Sequence, residues 1–415
     1  GWALSSQGPI MSSRLNCDFD VVIVGAGAVG SAAACLLSQI NHQGQSPLKI
    51  ALIESQPAPN FTVEKVDPRV AALTEKTRSI FQQLGIWDAV KAKRAAAYQA
   101  MNVWDAEGTG RITFDCRQVQ QPNLGHIVEN SALVSSLIEH VEQQPNIELF
   151  CPATITDYLL DDDALSISLD SGQTVTTQLL IAADGANSAV REHFQFATKQ
   201  WDYQQKAIVT TIYTEQSNQK TAWQRFMPTG PLALLPLDDI EGAHCCSIVW
   251  SQDTEEAERL MALDDAAFCQ ALSRASEHCL GKILKTEKRH LIPLRQSHAI
   301  DYVMPRVALL GDAAHSIHPL AGQGANLGFS DALVLAEEIA SAYKRQLDLG
   351  DLSLLKRYQR RRKPENLAAM AAMEGFKRLF GAQNSTLRLI RNYGLSAING
   401  LGAIKNKLIK QAMGL

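Results

Sequence analysis

The chain has no Cys-x-x-Cys pair, no internal repeat, no low-complexity stretch, and no apolar run near the roughly 18 residues that a bilayer-spanning helix needs. Each absence removes a class of protein. The eight cysteines (Cys17, Cys35, Cys116, Cys151, Cys245, Cys246, Cys269, Cys279) lie scattered, without the close spacing of a disulfide framework, and read as reduced thiols of a cytoplasmic protein. The N-terminus lacks a basic region followed by a hydrophobic stretch, so neither secretion nor membrane spanning is expected. Residues 1–10, ending Gln7-Gly8-Pro9-Ile10 before Met11, read as an addition from expression and are set aside from the fold argument. Net charge is only −4, from 39 basic and 43 acidic residues, which argues against whole-surface phosphate neutralisation, and no nucleic-acid partner is expected. With 46% hydrophobic and 20% charged residues, the 415 residues suffice for two or three folded domains without bulk disorder.

What is present is a β-branched run, Asp20 to Val24, that breaks into Gly25-Ala26-Gly27-Ala28-Val29-Gly30 and continues through small apolar residues to Leu37. That pattern predicts strand, tight turn and helix. A second run, Lys49 to Ile53, ends in Glu54 and completes a right-handed βαβ unit of a parallel sheet. Helical periodicity follows from Glu75 to Leu84 and from Ser131 to Val141. Three short runs around Ile155, Ile167 and Leu180, separated by Asp161-Asp162-Asp163 and Asp170-Ser171-Gly172, predict an antiparallel meander, with the aspartate triplet a solvated hairpin turn. Strand-like runs at Ala207 to Tyr213, Leu232 to Leu237 and Cys245 to Trp250 predict a second sheet, inserted before another buried strand at Val307 to Leu310. A helix is expected from Ser330 to Tyr343, and helices only from Lys356 onward.

The glycine spacing has a mechanical reason. Gly25 permits the turn, Gly27 lets a pyrophosphate approach the backbone, and Gly30 lets helix and strand pack closely, while the helix N-terminus offers roughly half a positive charge to the phosphates. Glu54, closing the second strand, would accept a ribose 2′-hydroxyl and repel a 2′-phosphate, so the expected ligand is FAD or NAD rather than NADP. The choice between them falls downstream. Gly311-Asp312-Ala313-Ala314-His315 follows a strand, and Pro319-Leu320-Ala321-Gly322-Gln323-Gly324-Ala325-Asn326 then opens a helix, which builds a second cradle that an NAD fold does not need. Ala183-Asp184-Gly185 through Arg191 also sits directly after a strand.

Together these three motifs resemble the FAD-binding signature of the single-component flavoprotein aromatic hydroxylases. Asp67-Pro68-Arg69-Val70, Gly125 to Ser131, Trp201-Asp202-Tyr203-Gln204 and the closing Gln411 to Leu415 resemble the ubiquinone-biosynthesis hydroxylases within that family. Cys246 to Ser251 and Trp201 to Gln204 look most like the branch that hydroxylates a polyprenylphenol at ring carbon five. The similarity runs from Asp20 to Leu415 with no departure at the FAD positions; Ala325 stands where relatives often carry a larger apolar residue, a change expected to be tolerated.

The resemblance implies a mixed α/β fold. A Rossmann-like FAD-binding domain (residues 11–80, 125–195 and 296–355) is interleaved with a β-sheet substrate domain (81–124 and 196–295) and followed by a C-terminal helical segment (356–415). It implies FAD as cofactor, NADPH or NADH as a transient reductant, since no second dinucleotide fingerprint exists, and dioxygen as co-substrate. Oxygen would add at flavin C4a, giving a hydroperoxide that an electron-rich phenol ring attacks, with no metal. By the family match Asp312 would hold the ribityl or pyrophosphate part, Asp184 would lie near the pyrophosphate, and Arg69 would reach the flavin side. Pro319 would line the oxygen face, and the amides after Gly322-Gln323-Gly324, with Ala325 and Asn326, would face the flavin N1/C2 edge. The substrate would be a polyprenylated phenol in an apolar channel, with another ring carbon, or a non-catalytic flavin-binding component of a biosynthetic complex, as the alternatives.

Some residues admit more than one reading from sequence. His315 and His318 could serve as a metal pair, His315 as a catalytic base, or both as histidines satisfied by backbone partners, with no third metal ligand evident. Trp201, Trp223 and Trp250 either line the pocket or belong to the core. From residue 375 to the end the chain carries seven basic and no acidic residues, +7 against −11 for the remainder, on sequence with amphipathic spacing. The segment reads either as helices packed with a solvated basic face or as a peripheral contact to anionic lipid at the inner face of the membrane, or to an acidic partner of a ubiquinone-biosynthesis complex. A homo-oligomer is compatible with the sequence.

Overall fold

The computed structural model describes residues 17–105, 111–317 and 324–381, with side chains to 372. Two large sheets and one small one organise the described chain.

The first sheet runs Val303–Met304, Val307–Leu309, Thr174–Ala182, Phe19–Val24, Ile50–Ile53, Ile147–Phe150, and all but the first of these strands are parallel. Its central strand, Phe19–Val24, is buried on both faces, as its unbroken apolar run requires. The helix Ala28–Ser38 packs beside it through Gly30, Ser31 and Ala32 to Ala34, residues small enough for close approach. The expected meander is present: Ile155–Leu160, Leu165–Leu169 and the first half of Thr174–Ala182 pair antiparallel. The second half of Thr174–Ala182 runs parallel beside Phe19–Val24, so the meander belongs to the parallel sheet itself.

The second sheet runs His315–Ser316, His290–Ala299, Thr198–Thr214, Cys245–Asp253, Gly230–Pro236, Thr221–Met227, Ala100–Asp105, Arg111–Asp115. Its two faces have different partners. Ile208, Ile212, Leu232, Leu234, Ile248 and Trp250 face the helices Thr254–Ala262 and Asp265–Ala275 and close a core with Leu260, Phe268 and Leu272. The opposite face, with Ala222, Phe226, Ala233 and Leu235, packs toward Ala72, Ala96, Tyr98 and Ile127 of the third sheet, Val70–Thr74, Gly125–Glu129 and Ala96–Tyr98.

The expected interleaving of the two large sheets is therefore present, with shifted seams. The small sheet mixes strands from segments assigned to both domains, and His290–Ala299 and His315–Ser316 extend the second sheet into the segment expected to belong to the FAD domain. The helix expected at Ser330 begins six residues earlier, at Gly324.

Candidate functional site

Strand register brings the motifs side by side. Val24 is paired with Ala182 on one side and Ile53 on the other, Ala182 with Leu309, and Ile53 with Phe150. Gly25, Asp184, Glu54 and Gly311-Asp312 therefore emerge at one carboxyl edge of the parallel sheet, the place where open α/β sheets take their ligands.

The three glycines of the first turn divide their work as the spacing predicts. Gly25 has φ +104°, and a Cβ there would stand 2.2 Å from the Ala183 carbonyl oxygen. A Cβ on Gly30 would stand 1.8 Å from the Gly25 oxygen, so only glycine lets the helix start this close to the strand. At Gly27 a Cβ would meet nothing within 4 Å. That open side lies at the N-cap of the helix, where no side chain caps the free amides. The chain thus leaves a space beside unsatisfied amide donors, which fits the pyrophosphate of an adenine dinucleotide.

Glu54 leans over the same turn: its Oε1 accepts from the Ala26 amide at 2.9 Å and its Oε2 from the Gln56 amide at 3.1 Å. The carboxylate is thereby held at the rim of the turn, where a ribose would lie. Asp312 is exposed and, among the described residues, its carboxylate has no hydrogen-bond or ion-pair partner. The protein mass around it pushes its pKa up, partly countered by His315 and reinforced by Asp331. A solvent-reachable acceptor without a protein partner suits ligand hydroxyls.

Val29, in the first turn of the glycine-motif helix, is the point where distant motifs meet. A Cβ on Gly311 would stand 3.3 Å from its Cγ1, and one on Gly328 of the helix Gly324–Lys344 would stand 2.8 Å from its Cγ2. Glycine at both positions lets the second cradle press against the first. Asn326, whose backbone is expected to face the flavin, turns its side chain inward. Its Oδ1 accepts from the Thr74 amide at 3.1 Å and from Thr77 Oγ1 at 2.7 Å, and its Nδ2 donates to the Ala72 carbonyl at 2.8 Å. Its side chain therefore fastens this helix start to the small sheet. Ala325, one residue earlier, is half-buried against the main core.

Other expected residues fall as follows. Asp184 receives Ser188 Oγ and the Val190 amide, so its carboxylate shapes its own turn. Arg69 is exposed, with its backbone fixed by Asp67 and Asn130. His315 is buried and its Nε2 is paired to the Asp331 carboxylate, a side-chain partner in place of the expected backbone one. Trp223 and Trp250 belong to the helix-facing core, and Trp201 is 44% exposed. Pro319, Gly322, Gln323 and His318 lie outside the described residues, as do the side chains of 375–415.

Sequence reading missed three features. Arg191 is buried and bridges the second and third motifs, donating to the Ala186 carbonyl at 2.8 Å and the Ala313 carbonyl at 3.1 Å, with its Nε without a partner among the described residues. Asp67 accepts from the Arg69 and Ser131 amides at 2.9 and 3.0 Å, holding the turn that presents Arg69. The third feature is a band of polar atoms on the face of the second sheet that looks toward the small sheet. Thr211 Oγ1, Ser247 Oγ, Ser251 Oγ and Gln224 Nε2 are all buried and have no hydrogen-bond partner among the described residues. Register places Thr211 opposite Ser247, Ala207 opposite Ser251, and Gln224 opposite Ala233, among Val209 and Val249. Alternation along the strands was the available signal, but only the register shows that the positions adjoin.

A model of the FAD binding domain matches residues 18–373 of the chain. The human mitochondrial ubiquinone biosynthesis monooxygenase COQ6 is 34% identical over 463 residues, covering 98% of this chain and 96% of that one. The 3-demethoxyubiquinol 3-hydroxylase of Escherichia coli strain K12 is 34% identical over 397 residues, covering 95% and 98%. The chain belongs to the ubiquinone-biosynthesis monooxygenases, a family of FAD-dependent aromatic hydroxylases.

Solved structures show the same fold at lower identity. The p-nitrophenol 4-monooxygenase PnpA of Pseudomonas putida DLL-E4 superposes with TM-score 0.76 at 18% identity, covering 95% of this chain and 98% of that one. Klebsiella pneumoniae HpxO, solved with FAD and uric acid, gives 0.72 at 16% identity, covering 95% and 97%. The family is thus an oxidoreductase family built on this interleaved fold, and the cradle residues Gly25, Gly27, Gly30, Glu54 and Asp312 have the donor and acceptor set that FAD needs. No described helix is long and apolar enough to cross a membrane.

Proposed function

We propose that this monooxygenase hydroxylates the aromatic ring of a polyprenylated phenol in ubiquinone biosynthesis, at ring carbon five, with FAD as cofactor, NADPH or NADH as the visiting reductant and dioxygen as co-substrate. The observation that carries the substrate class is the inward face of the second sheet. Small and apolar side chains, Ala207, Val209, Ala233 and Val249, surround four unpartnered polar atoms, a composition suited to a flat apolar ring bearing a few hydroxyls. The names of the relatives, which concern ubiquinone, support the pathway, and Cys246 to Ser251, which carried the branch resemblance, contributes Ser247, Val249 and Ser251 to this face.

Bound FAD supplies the redox chemistry that accepts hydride and activates oxygen. The chain's own residues have separable tasks. Gly27 and the following helix amides receive the pyrophosphate, Glu54 the ribose hydroxyls, and Asp312 the ribityl or pyrophosphate end. Arg69 would reach the flavin side, and the first turn of the helix Gly324–Lys344 would offer its positive end to the negative charge of a reduced flavin ring. Ser247 and Thr211 orient the phenol, and the surrounding apolar face keeps water from the ring.

The basic end of the chain suits the origin of such a substrate. A polyprenyl tail resides in a bilayer, and seven cations without an acidic residue over 375–415 would hold the enzyme at an anionic membrane surface. Deletion of that segment should leave a yellow, folded protein that no longer sediments with anionic vesicles; unchanged sedimentation would refute the docking role. The substrate assignment is tested by turnover of a short-chain prenylphenol and assignment of the new hydroxyl by NMR. A product oxygenated at ring carbon five supports the proposal, and oxygenation at another carbon overturns the position while retaining the reaction class.

A further inference from the structure

Two arms of the cradle, the Asp312 turn and the first turn of the helix Gly324–Lys344, must keep a fixed spacing to hold one ligand. Behind them lies a polar network sealed in the interior. His315, three residues after Asp312, pairs its Nε2 with Asp331 Oδ2, seven residues into that helix. The other Asp331 oxygen accepts from Arg362 Nε at 2.6 Å and Asn366 Nδ2 at 3.2 Å, and Arg362 Nη2 donates to Asn366 Oδ1 at 3.0 Å. Asn366 Nδ2 also reaches the Tyr302 hydroxyl at 3.2 Å, which faces His298 Nε2 at 3.1 Å. All six side chains are buried, Asp331 and Asn366 completely.

Burial alone would raise the Asp331 carboxyl, and His315 and Arg362 more than reverse it, holding it below the usual carboxylate range. Buried charges of this kind are a weak way to gain stability, because an apolar cluster of the same shape often serves as well. What they add is direction. Charge-assisted hydrogen bonds to both oxygens of one carboxylate fix its position along and around the helix axis, which apolar packing does not do as sharply.

We propose that Asp331 is a positioning residue of the flavin site: through His315 it locks the Asp312 turn to the start of the helix Gly324–Lys344, and Arg362 and Asn366 of the helix Leu352–Gly381 hold it in that register. The proposal rests on the reading of the carboxyl edge as the FAD site.

The test compares Asp331→Asn and the milder Asn366→Ala with Asp348→Asn. Asp348 pairs with the buried Arg306, which precedes the strand Val307–Leu309 and so lies at the other edge of the same sheet. Three quantities are read: the melting temperature of each apoprotein, its dissociation constant for FAD from flavin fluorescence, and the visible circular dichroism of the bound flavin. Asp331→Asn should weaken FAD binding about tenfold or more and alter the visible dichroism, because small displacements of a preorganised site are strongly amplified. Asn366→Ala should shift both in the same direction by less. Asp348→Asn should lower the melting temperature while leaving FAD affinity within about twofold, since a pair at the far edge does not set the cradle. Wild-type affinity and dichroism in both network variants, with only the melting temperature lowered, would make the network a purely structural feature. Equal loss of FAD affinity in Asp348→Asn would do the same. If Asp331→Asn fails to fold, Asn366→Ala decides alone. Wild-type protein that takes up no FAD would overturn the FAD reading itself, and the proposal with it.

Discussion

Gly27 and Gly30 sit three residues apart in one turn, yet a methyl group added to each should do damage of different kinds. On Gly30 the new Cβ lands 1.8 Å from the Gly25 carbonyl oxygen, and neither group can rotate away because both belong to the backbone of a buried turn. The helix must shift from the strand, and overpacking of this sort costs about 1–3 kcal/mol, here toward the upper end. In a chain this size roughly 1 kcal/mol moves Tm by about 1 °C, so apo Gly30→Ala should melt about 2–3 °C lower at a fixed scan rate. On Gly27 the new Cβ meets nothing within 4 Å, and the backbone, at φ −69° and ψ −171°, is open to any residue. Apo Gly27→Ala should therefore stay within about 0.5 kcal/mol of wild type. Its FAD affinity should fall about tenfold, or about 1.4 kcal/mol, because the methyl fills the side from which phosphates approach the helix amides, and Gly27→Val should abolish FAD retention. Melting of the apoproteins and fluorescence titration with FAD separate the two effects. A Gly27→Ala protein that binds FAD like wild type, or that melts as low as Gly30→Ala, would refute this division of labour.

Three further outcomes are expected. Asp312→Ala removes a carboxylate without a described protein partner, so the apoprotein should melt like wild type. The purified variant should nonetheless be colourless, since a lost hydrogen bond to a charged acceptor weakens a ligand by about 1.5–3 kcal/mol; a variant still yellow at wild-type stoichiometry would count against the assignment. Arg191→Met strands the buried Ala313 carbonyl, while the exposed Ala186 can turn to water, and should destabilise the apoprotein by about 1–3 kcal/mol, read from denaturant midpoints; a change below about 1 kcal/mol would mean that water or a neighbour replaces the bridge. For His298, burial first, and the charges of Lys363, His315 and Lys199 after it, lower the pKa from 6.5 to about 4. The unfolded chain then takes up a proton near pH 6.5 that the folded chain refuses until about pH 4, so stability should fall with pH through that window, by at most about 3 kcal/mol. His298→Gln should flatten this part of the pH profile, and an unchanged profile would contradict it.

The glycine positions were legible because their constraint is local: a turn with positive φ, or a Cβ that cannot fit, imposes its residue type whatever the distant chain does. Glu54 was legible for a similar reason, standing one residue past a strand end. The strands Ala207–Tyr213 and Cys245–Trp250 were readable as strands, but the roles of their aromatics were not. Trp250 and Ser251 adjoin in sequence and face opposite sides of the sheet, and only the pairing partners show that Ser251 faces the small sheet and Trp250 the helices. Arg191, Asp331 and Arg362 were invisible as functional candidates, because each acts on a group far away in sequence. Arg191 reaches Ala313 and Arg362 reaches Asp331. Asn326 stands in a motif whose backbone amides are expected at the flavin, and only tertiary packing reveals that its side chain fastens to Thr74, Thr77 and Ala72. Local chemistry is written in neighbouring residues, and the alignment of separate motifs along one sheet edge emerges only from strand register.

The central claim is that the edge formed by Gly25, Glu54 and Asp312 holds a flavin that oxygenates a prenylated phenol lying on the Thr211 and Ser247 face. The most direct measurement adds NADPH anaerobically to the yellow protein with and without a short-chain prenylphenol, follows flavin bleaching, then admits isotopically labelled dioxygen and weighs the product. The account predicts bleaching followed by a phenol heavier by one labelled oxygen atom. A flavin that stays oxidised with both NADPH and phenol present, or a phenol recovered without the label, would contradict it.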